Sequence, residues 1–253
     1  DEVVIDEPGW PQATHLCEAY GAHIKIIKRR EELEWNIDLD ELDALVTPKT
    51  KLIFLNSPNN PTGAVFTDED MRRICEIARK NDAYLLSDEV YRGLEWEGPR
   101  SPAAVNYYEK AISAASVSKC LGLQGIRVGW MATRDKDLLF RSLVLREYAS
   151  EVMNVLGEYV ALAALKPGRY EAMVAEALAD GHRCWPIVEE WVNSREDFDW
   201  VKPKAGYLCF VGYHLDIGSE DFCRRLLAPP YRTLIQPGSA YGVENHIRLG
   251  VGG

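Results

Sequence analysis

The chain has 253 residues, 47% of them hydrophobic and 27% charged, and 29 Lys and Arg stand against 39 Asp and Glu for a formal net charge of −10. That length allows one or two domains with a sizeable core, and the composition excludes disorder, collagen and coiled coil as the main architecture. The acidic balance argues against nucleic acid or an anionic membrane surface as partner, and no apolar run is long enough for a membrane span.

The predicted elements alternate. Val3–Ile5 reads as a strand, Trp10–Tyr20 as a helix ending at Gly21, and Ile24–Ile27 as a second strand. Leu39–Leu45 reads as a short helix, and Lys51–Leu55 as a strand apolar enough to be buried on both faces. Asp68–Lys80 follows as a helix with Met71, Ile74, Cys75 and Ala78 on one side. Tyr84–Leu86, Ala111–Ala115 and Val128–Ala132 are further strands. Such alternation indicates an α/β layer with a mostly parallel sheet. Helices are expected over Lys136–Glu147 and Val152–Leu165. A long helical pattern runs from Gly168 to Asn193, with apolar residues at three- and four-residue spacing. Pro186 inside it predicts a kink. Tyr207–Val211 then reads as a strand, Glu220–Leu227 as a helix, and Thr233–Ile235 and His246–Leu249 as short strands. The change of pattern predicts a large domain over residues 1–167 and a smaller α+β domain over residues 168–253.

Six cysteines (Cys17, Cys75, Cys120, Cys184, Cys209 and Cys223) show no CxxC spacing, and the five histidines are scattered. Free thiols in a cytoplasmic protein, with no metal site, are the expectation.

Four segments fall at or just beyond strand ends, where open α/β sheets bind ligands. The first, Glu7-Pro-Gly-Trp-Pro-Gln12, carries Trp10, whose indole can face a flat ligand; taken alone, a tryptophan is more readily read as core. The second, Asn56-Ser-Pro-Asn-Asn-Pro-Thr-Gly63, is a stiff turn that aims the Asn60 amide. The third, Ser87-Asp-Glu-Val-Tyr91, delivers the Asp88 carboxylate to the sheet edge, where a buried charge needs a cationic partner, and places Tyr91 three residues on. The fourth runs Ser116-Val-Ser-Lys119, then Gly122, Gly125 and Arg127-Val-Gly129. Its hydroxyls and arginine suit a phosphate, and a lysine in such a setting can form a Schiff base. These parts are complementary to an object with an aldehyde, a basic ring nitrogen, a ring hydroxyl and a phosphate. Pyridoxal 5′-phosphate is that object, and it needs an acidic partner at its ring nitrogen.

The ordered set NNPTG, SDEVY, SxSK and GxxGxRVGW resembles the fold-type I, class I/II aminotransferases of the aspartate aminotransferase superfamily, across essentially the whole chain. The resemblance implies a three-layer α/β large domain of the PLP-dependent transferase fold with a smaller α+β C-terminal domain, both incomplete. It implies that Lys119 is the catalytic lysine that carries pyridoxal phosphate as a Schiff base. Asp88 is then the ring-nitrogen partner, Asn60 and Tyr91 meet the ring hydroxyl, Trp10 stacks on the ring, and Ser116, Ser118 and Arg127 hold the phosphate. His246-Ile-Arg-Leu-Gly250 resembles the strand whose arginine grips the substrate α-carboxylate, so Arg248 takes that role beside Asn60. Gln236–Gly242 and Lys204–Tyr207 resemble the turns that approach the substrate.

The implied activity is transamination of an L-amino acid with a 2-oxo acid, in a homodimer with a shared site. Lyase, cyclase or oxidase chemistry shares the same early steps and stays open, as does an aminotransferase-like sensor domain of a transcription regulator. Compared with the family, an N-terminal segment that supplies backbone donors to the phosphate is absent, as are the last helix and strand. The expectation is therefore a fragment that is inactive by itself. Cys120 stands where many relatives have Thr, Asp or an aromatic, with no evident reason.

Overall fold

The computed structural model describes residues 1–251. In chain order the elements are β1 (Glu2–Glu7), α1 (Pro11–Ala19), β2 (His23–Arg30), β3 (Asn36–Ile37), α2 (Leu39–Leu45), β4 (Thr50–Asn56), α3 (Asp68–Lys80), β5 (Tyr84–Asp88), β6 (Ala111–Ser116) and β7 (Gly129–Thr133). There follow α4 (Lys136–Ala149), α5 (Val155–Ala164), α6 (Arg169–Asn193), β8 (Phe198–Trp200), β9 (Leu208–Tyr213), α7 (Ser219–Leu227), β10 (Gln236–Pro237) and β11 (His246–Gly250).

Seven strands form one sheet in the order β3-β2-β1-β4-β5-β6-β7. The central pairs from β2 to β6 are parallel, while β3 and β7 run antiparallel at the edges. After β1 the chain goes to one side for β2 and returns to the other for β4. Strand order therefore reverses between β1 and β4, and such a reversal opens a crevice at the carboxyl ends of the strands. A four-stranded antiparallel sheet, β10-β11-β9-β8, is built from the second half of the chain.

Helices cover both faces of the large sheet. On one face α2 and α3 bury Leu42, Met71, Ile74 and Ile77 against Val4, Ile53 and Leu85. Each such side chain contributes about 1.5–3 kcal/mol on burial. Thr67 starts α3 because its hydroxyl accepts from Asp70 N–H at 3.1 Å while the Asp70 carboxylate accepts from Thr67 N–H at 2.8 Å, a reciprocal cap that satisfies two free donors. On the other face Ala13 and Cys17 of α1 pack on Val3, Ile5 and Leu52. Strand β4 is thus not sealed equally on both sides. Ile53 and Leu55 are buried, but Leu52 and Phe54 are half-buried, because Phe54 looks into a cavity.

Two sequence expectations change. The helix expected from Val152 begins at Val155, because the Asn154 side chain accepts from Gly157 N–H at 3.1 Å and caps it there. No strand forms over Thr233–Ile235. Thr233 N–H donates to Leu226 O and its hydroxyl to Tyr231 O, which folds the segment onto the end of α7, and pairing starts only where Gln236 meets Arg248. Helix α6 runs through Pro186 without a break in assignment. No helix among the described residues is long and apolar enough to cross a membrane.

Helix α4 buries none of its side chains, and Phe140, Leu143, Leu145 and Tyr148 are exposed, as are Leu156, Tyr159 and Leu162 of α5 and Trp130 on edge strand β7. An apolar surface of this extent beside an unpaired strand edge favours association. Residues 1–253 expressed alone are expected to self-associate. Analytical ultracentrifugation checks this, and a clean monomer across the concentration series would contradict it.

Candidate active site

The carboxyl ends of β1, β4, β5 and β6 frame a cavity of about 480 Å³. Strand register places its walls. Asn56 and Asp88 are partners across β4 and β5, Asp88 and Ala114 across β5 and β6, and Ser116 and Gly129 across β6 and β7. Trp10, Asn60, Asp88, Tyr91, Ser116, Ser118, Lys119 and Arg127, all singled out in the sequence, line this one cavity. Arg248 stands beside it on β11, and its Nη1 donates to Asn60 Oδ1 at 3.1 Å.

Each side chain has a local cause for its position. Trp10 is the residue before α1, between Pro8 and Pro11, and is 44% exposed. Asn60 sits in a turn held by a set of internal bonds. Asn59 N–H donates to Ala64 O at 2.9 Å, Gly63 N–H to Asn59 O at 2.8 Å, and Asn60 N–H to Asn56 Oδ1 at 2.6 Å. Gly63 has φ +72, and a Cβ there would meet Pro203 and stand 2.8 Å from Ala205 O. Glycine thus lets this turn dock on the Lys204–Tyr207 turn, whose Lys204 and Ala205 N–H groups donate to Gly63 O. Because Asn60 Oδ1 accepts from Arg248, its amide NH₂ is left as a donor.

Asp88 ends β5, and its Oδ1 accepts from Val90 N–H at 3.2 Å. Burial pushes its carboxyl up to about 6; the Val90 bond and the charge of Lys119 oppose this, while the nearby Asp6 adds to it. No cation among the described residues forms an ion pair with it. A carboxylate so placed is stabilised by any cation that enters the cavity. Tyr91 is buried, and burial pushes its hydroxyl up to about 12, against the pull of Arg248. Lys119 is exposed, with Nζ 5.4 Å from the centre of the Tyr91 ring. Ser116 Oγ accepts from Ser118 N–H at 3.2 Å, and Arg127, at φ 55, donates to Gln124 O at 3.0 Å. Hydroxyls, an arginine, a lysine and a carboxylate lining one cavity suit a ligand that carries both an anionic and a cationic group.

Two residues of the site were not singled out in the sequence. Asn56 lines the cavity and bonds both Asp88 and Asn60. Its place directly after Lys51–Leu55 was the available signal. Tyr241, inside the Gln236–Gly242 turn, lies under the Arg248 guanidinium at 5.5 Å, a cation–π contact that orients the arginine. Cys120 is buried beside this site, and burial raises its thiol pKa.

The family profile described as "Aminotransferase class I and II" matches residues 1–253. The chain belongs to this family. Within it, the chain is 28% identical over 251 residues to capreomycidine synthase of Streptomyces vinaceus, covering 99% of this chain and 64% of that one. It is 28% identical over 255 residues to aromatic-amino-acid aminotransferase 2 of Thermococcus litoralis, covering 98% and 65%. A crystal structure of a PLP-dependent aminotransferase from Streptococcus suis superposes with a TM-score of 0.92 at 31% identity, covering 99% of this chain and 65% of that one. The chain spans about 65% of the length of the curated aminotransferase-family relatives it matches. Its architecture is that of fold-type I aminotransferases, with a curled, mostly parallel seven-stranded sheet.

Proposed function

We propose that the protein transaminates an L-amino acid with a 2-oxo acid, using pyridoxal 5′-phosphate held by Lys119. The observation that carries this is the convergence of Trp10, Asn60, Asp88, Tyr91, Ser116, Ser118, Lys119 and Arg127 on one cavity. The donor set fits the cofactor, because Asp88 lines the cavity with a raised pKa and forms an ion pair with no cation among the described residues. When bound, pyridoxal phosphate supplies an aldehyde for amines and a cationic ring that takes up the electron pair of a departing Cα proton.

The chain's own residues then divide the work. Ser116, Ser118 and Arg127 bind the phosphate. Trp10 covers one ring face, and Asn60 and Tyr91 meet the ring hydroxyl. Asp88 keeps a proton at the ring nitrogen, which its ionised form favours by direct charge attraction. Arg248, steadied by Asn60 and Tyr241, grips the substrate α-carboxylate, with the planar fork that suits this group. Lys119 would hold the cofactor through its amine, and the same amine, when free, would move the Cα proton. The full-length protein is proposed to work as a cytoplasmic homodimer, and residues 1–253 alone are expected to be inactive.

The likeness to capreomycidine synthase favours a second reading, in which a cyclase shares these early steps. Stopped-flow absorbance of the full-length protein with each of twenty amino acids, with product analysis, separates the two. A 2-oxo acid product supports transamination. A cyclised or eliminated product supports the second reading, and no spectral response to any amino acid contradicts both.

Arg248→Lys keeps the charge but loses the fork. It is expected to weaken amino-acid binding by about 10–100-fold, a loss of roughly 1.5–3 kcal/mol, with cofactor affinity unchanged. Equilibrium titration checks this, and loss of the cofactor instead would move Arg248 to the phosphate site.

A further inference from the structure

The side chains of Asp6 and Arg29 are fully buried as an ion pair outside the cavity. Arg29 Nε and Nη2 donate to Asp6 Oδ2 at 2.8 and 2.7 Å. The same carboxylate oxygen accepts Asn56 N–H at 3.2 Å, and Arg29 Nη2 donates to Asn56 O at 2.8 Å. The pair therefore holds both backbone groups of Asn56.

This hold has a geometric reason. The parallel pairing of β1 with β4 ends at Ile5 and Phe54, although β1 stays paired with β2 through Glu7. Leu55 and Asn56, the last two residues of β4, have no β1 partner, and a buried backbone group without a partner is costly. The Asp6 and Arg29 side chains stand where the next rung of the ladder would be. The Asn56 side chain then reaches the opposite way. Its Nδ2 donates to Asp88 O at 2.9 Å, and its Oδ1 accepts Asn60 N–H at 2.6 Å. Ser57 N–H donates to Asp88 O as well, at 3.0 Å. Arg29 Nη1 donates to Trp35 O at 2.9 Å, and the Trp35 ring packs edge-on against Phe210 of β9, so the pair also ties the small sheet to this corner.

We infer that Asp6 and Arg29 are positioning residues: they substitute for the missing rung at Asn56 and so fix the aim of Asp88 and Asn60 at the cofactor ring. The inference rests on the pyridoxal phosphate reading for its target but not for its geometry. A purely structural ion pair would behave differently. Buried pairs are often replaced by packed apolar residues with no loss of stability, but apolar residues cannot bond Asn56.

The test compares wild type with the charge-free double variant Asp6→Leu, Arg29→Leu and with Asn56→Ala, all as full-length protein. Two readouts are used: residue-resolved backbone hydrogen exchange without cofactor, and spectroscopic titration with pyridoxal phosphate. Asn60 N–H, bonded to Asn56, and Val90 N–H, bonded to the Asp88 carboxylate, are the reporters. In the double variant both are expected to exchange about tenfold faster or more, while α3 is unchanged, as for a local opening. The dissociation constant for pyridoxal phosphate should rise about tenfold, and the pH at which the bound cofactor changes absorbance should shift. Should the double variant not fold, Arg29→Lys, which keeps the charge but loses the fork that reaches Asn56 O, decides in its place, with the same two reporters expected to quicken. Wild-type exchange at Asn60 and Val90 in any of these folded variants would overturn the inference. Wild-type protein that takes up no pyridoxal phosphate would fail the functional reading, and the exchange rates would still decide the positioning.

Discussion

Alanine in place of Lys119 is expected to abolish turnover while pyridoxal phosphate stays bound, though more weakly. The two effects separate because they depend on different groups. Trp10, Asn60, Asp88, Ser116, Ser118 and Arg127 remain to hold the cofactor by non-covalent contacts. Among the described residues no other lysine lines the cavity. The variant thus loses both the covalent hold and the amine that moves the Cα proton. Loss of a general base alone costs about 10²–10⁴-fold in rate, so the combined loss should leave no more than traces of activity. Equilibrium dialysis with pyridoxal phosphate, beside a turnover assay, checks both halves. Turnover within tenfold of wild type would remove Lys119 from the mechanism.

Asp88→Asn is expected to act in opposite directions on activity and stability. Turnover should fall about 10²–10³-fold or more, because a buried charge partner worth roughly 3–5 kcal/mol is lost from the ring nitrogen. Stability of the cofactor-free protein should rise at neutral pH. The sign follows from the raised carboxyl, at about 6 against an ordinary 3.8. The folded state holds the Asp88 proton more tightly than the unfolded state. As pH rises from about 4 through 6 the proton leaves, and the buried charge then costs stability above that window. Asparagine carries no such charge, so the gain is about 1–3 kcal/mol at pH 7–8 and vanishes near pH 4. Melting curves at the two pH values measure this. A variant less stable than wild type at pH 8 would contradict the raised carboxyl, and turnover within threefold of wild type would show that Asp88 does not serve the ring.

The parts of this site that were legible in the sequence share a property. Asn60, Asp88, Ser116 and Lys119 each lie within five residues after a short apolar run, and strand ends are where a parallel sheet presents side chains to a ligand. Their order along the chain matches the order β4, β5, β6 in space. Helix α3 was legible because Met71, Ile74, Cys75 and Ala78 recur at helical spacing. The Asp6–Arg29 pair was not legible. Its members lie 23 residues apart, and Arg29 sits in the basic run Lys28-Arg29-Arg30, which reads as a solvated face. Only the adjacency of β1 and β2, and the early end of the β1–β4 ladder, turn them toward each other and toward Asn56. Strand β10 was misplaced by a few residues because Thr233 and Ile235 carry strand propensity, while the end of α7 takes up the Thr233 backbone. Propensity is a weak guide where a neighbouring element offers the hydrogen bond first.

The central claim is that Lys119 carries pyridoxal phosphate in the cavity at the ends of β4, β5 and β6. Borohydride reduction of the full-length protein with pyridoxal phosphate, followed by peptide mapping, tests it most directly. One stoichiometric label is expected, on the peptide containing Ser116-Val-Ser-Lys119, and none in Lys119→Ala. A label on any other lysine, or no label on protein shown to be folded, would contradict it.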